Sequence, residues 1–205
     1  LTGSGVDVLT ITRYTADPVR TAILRANSDN SAAAARLDVR QQVEASLASG
    51  SATIGDQIEK FFNGIEQLTA NPTDTAVRRP VIAAAADLAG QFNSAATDID
   101  RLRYDLGTQV TKTVDEVNGF AKQIAALNQR ISGIESRGDQ ANDLRDQRDQ
   151  LIDQLAQRID IKTVNQPHGV VNVIATDAAV VVGEFANSFS VGPNASGNLD
   201  VLQAG

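Results

Sequence analysis

VTKTVDEVNGFAKQIAALNQRISGI, residues Val110–Ile134, is written as a heptad. Val110, Val117, Ile124 and Ile131 stand seven apart, and Thr113, Phe120, Leu127 and Ile134 each follow three residues later. Residues repeated in this way gather into one stripe along a helix, as in a coiled coil. The expected core seam is Val110, Val117, Phe120, Ile124, Leu127, Ile131 and Ile134. Leu88, Phe92, Ile99, Leu102 and Leu106 keep a three-to-four spacing upstream and extend the pattern back towards Thr73. A single helix of about 60 residues follows, roughly 90 Å long at 1.5 Å per residue. Such a helix must bury its stripe against others, so an elongated antiparallel bundle is predicted.

The partners for that stripe can come from the same chain. Asp17-Pro18 is a strong helix start, with Asp as N-cap and Pro at the first helical position. The helix it opens carries Val19, Ile23, Leu24, Ala34, Leu37, Val43 and Leu47 and ends near Ser49-Gly50, with Asn27–Ser31 as a polar weak point. A second helix starts at Ser51 or Thr53 and runs to Thr69, with Ile54, Ile58, Phe61, Phe62, Ile65 and Leu68 as its apolar set. Asn71-Pro72-Thr73-Asp74 is a turn, and Thr73 or Asp74 caps the long helix. Pro80 either restarts that helix or kinks it. Gly138-Asp139-Gln140 ends it, and a fourth helix capped by Asn142 carries Leu144, Leu151, Ile152, Leu155 and Ile159.

After Asp160 the period changes to short β-branched runs: Ile161–Val164, Val170–Ile174, Val180–Val182, Phe189–Val191 and Leu199–Leu202. Pro167-His168-Gly169 and Gly192-Pro193-Asn194 separate some of them, a β-meander pattern. The fold class expected is therefore mainly α, with the beginning of a small β domain after the bundle. Residues 1–160 are assigned to the helical rod, with a short extended lead-in at 3–13, and 161–205 to the β segment.

Composition narrows the function. The 205 residues carry a net charge of −7 and only 4% aromatics, with no Cys, Met or Trp. An acidic chain whose Lys and Arg are interleaved with acids does not suit nucleic acid or an anionic membrane. Without cysteine there is no disulfide or thiolate metal site. No apolar run is long enough to span a bilayer, and no secretory signal pattern opens the chain. A start at Leu1 with no methionine reads as a piece of a longer protein.

No catalytic constellation emerges. His168, the only histidine, sits in a turn composition, Pro-His-Gly, and is expected to face solvent. Asp139, Asp143, Asp146, Asp149 and Asp153 alternate with Arg145 and Arg148, the spacing of helix-surface or interhelical ion pairs. Phe61-Phe62 reads as core bridging to a flanking helix. There is no phosphate-cradling glycine loop after a strand and no Gly-x-Ser-x-Gly. The chain is expected to be a structural or interaction protein, not an enzyme, with no cofactor and no metal.

Five ordered blocks take the reading further. Gly3-Ser4-Gly5-Val6-Asp7-Val8 with Ile11 and Arg13 resembles G-x-G-V-x-V-x-x-I-x-R of the flagellar hook-associated protein 1 (FlgK) family. Phe61-Phe62-Asn63-Gly64-Ile65-Glu66-Gln67-Leu68, then Asn71-Pro72 and Arg78, is similar to that family's F-F-x-x-L-Q-x-L…P…R block. Val81-Ile82, Leu88 and Gln91-Phe92-Asn93 resemble its V-L…L-x-x-x-F-N continuation. Val114–Asn118 and Lys122–Asn128 with Ile131 are similar to V-x-x-I-N…Q-I-A-x-L-N-x-x-I. Asn142-Asp143-Leu144-Arg145-Asp146-Gln147-Arg148-Asp149-Gln150-Leu151 resembles N-D-L-L-D-Q-R-D-x-L. The motif positions are thus Phe61, Phe62, Leu68, Asn118, Asn128, Asp146, Gln147, Arg148 and Asp149. Thr15–Pro18, Pro80 and Arg145 depart from the pattern, and the family's terminal helical motifs are absent from this stretch.

The resemblance implies a structural adaptor at the hook–filament junction of the bacterial flagellum, extracellular and exported without a cleaved signal peptide. It implies as partners neighbouring copies in a ring, the hook protein, the second junction protein, and an export chaperone acting on a C-terminus outside this stretch. The isolated stretch is expected to be monomeric in dilute solution. Two rival readings are a flagellin or filament-cap relative and the coiled-coil bundle of a signalling receptor.

Overall fold

The structure, a computed structural model, describes residues 17–47, 53–176 and 178–204. The lead-in at 3–13, the Ser49-Gly50 helix end and a start at Ser51 lie outside the described residues. Among the described residues, four α-helices are followed by six strands: α1 (Asp17–Leu47), α2 (Ile54–Ala70), α3 (Thr75–Glu135), α4 (Asn142–Ala156), β1 (Ile161–Asn165), β2 (Val171–Ala175), β3 (Ala178–Val182), β4 (Phe185–Ala186), β5 (Ser188–Pro193) and β6 (Leu199–Ala204), with a one-turn 3-10 helix at Pro167–Gly169 between β1 and β2. The mainly helical class, with one helix of 61 residues and small antiparallel sheets after it, matches the sequence reading.

The helix ends follow from local chemistry. Thr53 and Asp56 form a capping box on α2: the Asp56 amide donates to Thr53 Oγ1 at 3.1 Å, and the Thr53 amide to Asp56 Oδ2 at 2.8 Å. Asp74 caps α3, its Oδ1 accepting from the Ala76 amide at 2.8 Å. Pro80 lies inside α3 and does not restart it. Gly138, with φ 93°, takes the chain out of α3 in the left-handed region that suits glycine. Asn142 is the first residue of α4, not its cap: Ala141 holds the N-cap position, and its amide donates to Glu135 Oε1 at 3.4 Å.

The chain divides into two compact units. One contains the described residues up to Ala32 and those from Thr111 onward; the other is Ala33–Val110. The boundary expected between residues 160 and 161 does not coincide with this division. The strands share one core with the helices: Leu24 of α1, Val117, Ala121, Ile124 and Ala125 of α3, Ile152, Leu155 and Ala156 of α4, and Ile161, Val171, Val173, Val180 and Val181. A sheet of this size cannot be stable with one bare apolar face, so it needs the helices to cover it.

In the unit of residues 33–110 the buried set is Val81, Ala84 and Ala95. Phe92 and Ile99, read as part of the stripe, are exposed. Phe62 is 62% exposed, which corrects its assignment to core; its ring meets Phe61 edge-on, with centroids 5.5 Å apart. Gly64 explains how α2 sits so near α3, since a Cβ there would stand 3.2 Å from Val81 Cγ2. Lys60 pairs with Asp87 at 3.0 Å across the same two helices.

α1 is continuous through Asn27–Ser31, as expected, but its apolar stripe is not its inward face. Val19, Ile23, Leu37 and Val43 are exposed. Leu24 and Ser28 are buried, and Arg20, Ser31, Gln42 and Ser46 are partly covered. At 100° per residue, Arg20, Leu24, Ser28, Ser31, Gln42 and Ser46 fall on one side of the helix. Apart from Leu24 that side is mostly polar, and Val19, Ile23, Leu37 and Val43 lie off it.

In the unit from Thr111 onward, β1–β2–β3–β4 is an antiparallel meander, and β5 pairs with β6 in a separate two-stranded sheet. The register runs Ile161↔Ala175 to Asn165↔Val171 between β1 and β2, with a shift at Val173/Ile174 where β2 meets β3. The two-residue strand β4 was not anticipated; two residues are too few to show a period.

Candidate functional site

Two asparagines on α3 meet the sheets. Asn128 is 0% exposed and stands where the β2–β3 ladder runs out. Val173 pairs with Val181, so Val171 would next face Gly183. Gly183 instead turns the chain towards β4 with φ 62°. The Asn128 carboxamide takes the vacated position. Its Nδ2 donates to Val171 O at 2.8 Å and to Gly183 O at 2.6 Å, and its Oδ1 accepts from the Val171 amide at 3.2 Å. A side-chain amide thereby stands in for a strand, satisfying backbone groups that could not reach water. Asn118 repeats the device on the other sheet, accepting from the Phe189 amide and donating to Phe189 O, both at 2.8 Å.

Arg148 of α4 completes the node. It is 3% exposed, and its Nη1 donates to Asn128 Oδ1 at 3.1 Å and to the Gly169 carbonyl. Asp149, also buried, lies 3.8 Å from Arg148 Nη2. Arg20 reaches in from α1, donating to Asp149 O at 3.0 Å and to Asp153 Oδ1 at 3.2 Å. A buried charge needs a partner, and here the helices supply alternating signs. Burial pushes the Asp153 carboxyl above its ordinary value; Arg20 pulls it back and Asp149 pushes it further.

Beside the node, Arg145 grips Glu135 in a two-pronged pair, Nε to Oε1 at 2.6 Å and Nη2 to Oε2 at 2.5 Å. Chiefly through that hydrogen bonding, Glu135 is held below its ordinary value against the opposing effect of burial. Gly169 is wedged against this pair. With φ 71°, a Cβ on it would come within 2.7 Å of Ile131 Cγ2 and closer still to Glu135. His168 precedes it, exposed, with φ 54°.

These groups border a cavity of about 320 Å³ between α1, α4 and the β1–β2 connection, lined by Arg20, Arg145, Arg148, Asp149, Thr163 and Gln166 among others. Its guanidiniums are matched by Glu135, Asp149 and Asp153. Charges that neutralise one another in this way hold the elements together. Among the described residues no group of three His, Cys, Asp or Glu could hold a metal ion, and no helix is long and apolar enough to cross a membrane.

The motif positions thus divide. Asn118, Asn128, Arg148 and Asp149 converge on the junction of α3, α4 and the sheets. Asp146 and Gln147 face outward on α4, while Phe61 and Leu68 are partly covered on α2, in the other unit. On the seam, Val117, Ile124, Leu127 and Ile131 are buried, and Phe120 and Ile134 are partly buried against them. Val110 is 41% exposed, a correction to its place in the core. The buried face also takes in Val114, Ala121, Ala125 and Asn128, so it is turned from the a/d line towards the residues that follow Phe120 and Leu127. A straight helix against a sheet and a short helix buries a stripe wider than a coiled-coil seam. Spacing alone missed Arg20 and Gly169. A glycine after an exposed Pro-His is the one signal that could have marked the close approach at Gly169.

Comparison with known proteins agrees with this architecture. The family described as "Flagellar hook-associated protein FlgK helical domain" matches residues 40–204. Flagellar hook-associated protein 1 of Escherichia coli K12 is 27% identical over 197 residues, 95% of this chain and 36% of that protein. Its counterpart in Bacillus subtilis 168 is 31% identical over 105 residues, 51% of this chain and 21% of that protein. The flagellar hook junction protein FlgK from Burkholderia pseudomallei superposes with a TM-score of 0.79 at 25% identity, covering 89% of this chain and 33% of that one. The chain spans about a third of the Escherichia coli and Burkholderia proteins and about a fifth of the Bacillus one. With its helical domain matched and the fold shared, the chain belongs to the flagellar hook-associated protein FlgK family.

Proposed function

We propose that this chain is a structural, non-enzymatic segment of a bacterial flagellar protein that joins hook to filament outside the cell, after export without a cleaved signal peptide. The observation that carries the reading is the match to the FlgK helical domain over residues 40–204. The fate of the motif residues supports it: Asn118, Asn128, Arg148 and Asp149 are spent on holding helices to sheets. Contacts with neighbouring copies, the hook protein and the second junction protein would then use outer faces. Leu37, Phe62, Ile82 and Phe92 are exposed on the unit of residues 33–110, apolar surface of the kind that assembly covers. An export chaperone would act on sequence outside this stretch.

Deleting the gene for the full-length protein tests the reading. Cells are expected to carry hooks without filaments and to regain filaments on complementation, with antibody to this segment labelling the hook's distal end. Normal filaments in the deletion strain, or label spread along the filament, would overturn it.

A further inference from the structure

The two sheets are mounted differently. Asn187, between β4 and β5, is fixed to β3: its amide donates to Val180 O at 3.0 Å and its Nδ2 to Ala179 O at 2.7 Å. From Ser188 the chain leaves that sheet and pairs only with β6. The hairpin reaches α3 through Phe189, whose backbone N–H and C=O both bind the Asn118 carboxamide. The Phe189 ring packs against the core edge, while Leu199, Val201 and Leu202 are exposed. By contrast, Asn128 is wholly buried and ties β2, the β3–β4 turn and Arg148 together.

We propose that β5–β6 is a hinged flap, pivoting at Asn187 and latched to α3 by the Asn118 carboxamide. Asn187 keeps its bonds to β3 whether the flap is closed or open, so it supplies a fixed point. The two Asn118 bonds sit at the start of β5, so their release, with the Phe189 ring leaving the core edge, loosens the hairpin from α3. The β5–β6 ladder is internal to the hairpin, and once unlatched it is an isolated two-stranded ribbon that frays readily in water, exposing its own amides. Opening is then a local event with a free energy well below that of unfolding.

Hydrogen exchange on the whole chain tests this. In Asn118→Leu, amides of β5 and β6 and that of Phe189 are expected to exchange about tenfold faster or more, as loss of two hydrogen bonds implies. Amides of β1–β3 and α4 should stay within about twofold of their original rates on the same view. Asn118→Asp keeps the acceptor for the Phe189 amide and loses the donor to its carbonyl, so it should give a smaller acceleration confined to the same strands; it decides the matter if Asn118→Leu does not fold. Unchanged exchange in the hairpin, or equal acceleration throughout the unit, would overturn the latch and leave Asn118 an ordinary core contact.

Discussion

In the unit holding the strands, inward-facing residues include Asn128, Arg148 and Asp149 alongside Ile124, Ile152 and Val173. Among the described residues of the unit 33–110, the buried ones are Val81, Ala84 and Ala95, and larger apolar side chains, Leu37, Phe62, Ile82 and Phe92 among them, remain exposed. The first unit is specified by directional bonds that only one arrangement satisfies. The second relies on small residues that let helices approach, as at Gly64 and Val81, and on a surface pair such as Lys60–Asp87. A bonded interior should respond sharply to single substitutions. A shallow helical interface should absorb them, and its uncovered apolar groups remain available for contacts with other molecules.

The largest effect is expected at Asn128. Asn128→Leu preserves approximate volume but leaves the Val171 N–H and C=O, the Gly183 C=O and one Arg148 contact without their partner. Several buried polar groups stranded together should remove about 3–5 kcal/mol, measurable by urea unfolding. Ile124→Asp, which buries a lone carboxylate in the same core, should cost a similar amount. If either leaves the melting temperature unchanged, the contrast between the units fails at its root.

Gly169→Ala comes next, at about 2–4 kcal/mol, because it combines a left-handed backbone with a clash against Ile131 and the Glu135–Arg145 pair. A value near zero would mean that the β1–β2 connection does not press on α3 in solution.

Acid should also act on the unit that holds the strands. Glu135 has a folded value below its unfolded one, so its pairing with Arg145 stabilises above the ordinary glutamate value. That contribution is lost as pH falls through the lowered folded value. Asp153 has the opposite sign: its value is raised by folding, so stability declines as pH rises from the ordinary aspartate value through the raised one. Comparing unfolding free energy with that of Glu135→Gln should show a gap at neutral pH that closes in acid. A gap independent of pH would assign the Glu135 effect to packing.

How far the sequence anticipated this contrast depends on the kind of interaction. The heptad from Val117 to Ile134 and the β-branched runs after Asp160 were legible because burial imposes a period on apolar residues. The inward face of α1 was not, since Arg20 is drawn in by Asp149 and Asp153 far along the chain, and the covered Ser28 and Ser31 carry no weight in an apolar period. Ala121 and Ala125 were passed over because small residues carry little weight in a hydrophobic pattern, although they are what allows the sheet close to α3. Asn118 and Asn128 stood out through family resemblance, and only the geometry shows why an amide is needed there. It must present a donor and an acceptor to one residue of a strand, which no apolar side chain can do.

The smallest effect is expected on the other unit. Phe62→Ser removes a ring that is 62% exposed and touches Phe61 edge-on. The isolated chain should lose less than about 1 kcal/mol, since little area returns to water and one aromatic contact is broken. If that surface is covered only in the assembled flagellum, the same variant in the full-length protein should weaken junction formation out of proportion to its stability. A loss of several kcal/mol in the isolated chain would show that Phe62 is already packed, and the unit of residues 33–110 would then be as tightly specified as its counterpart.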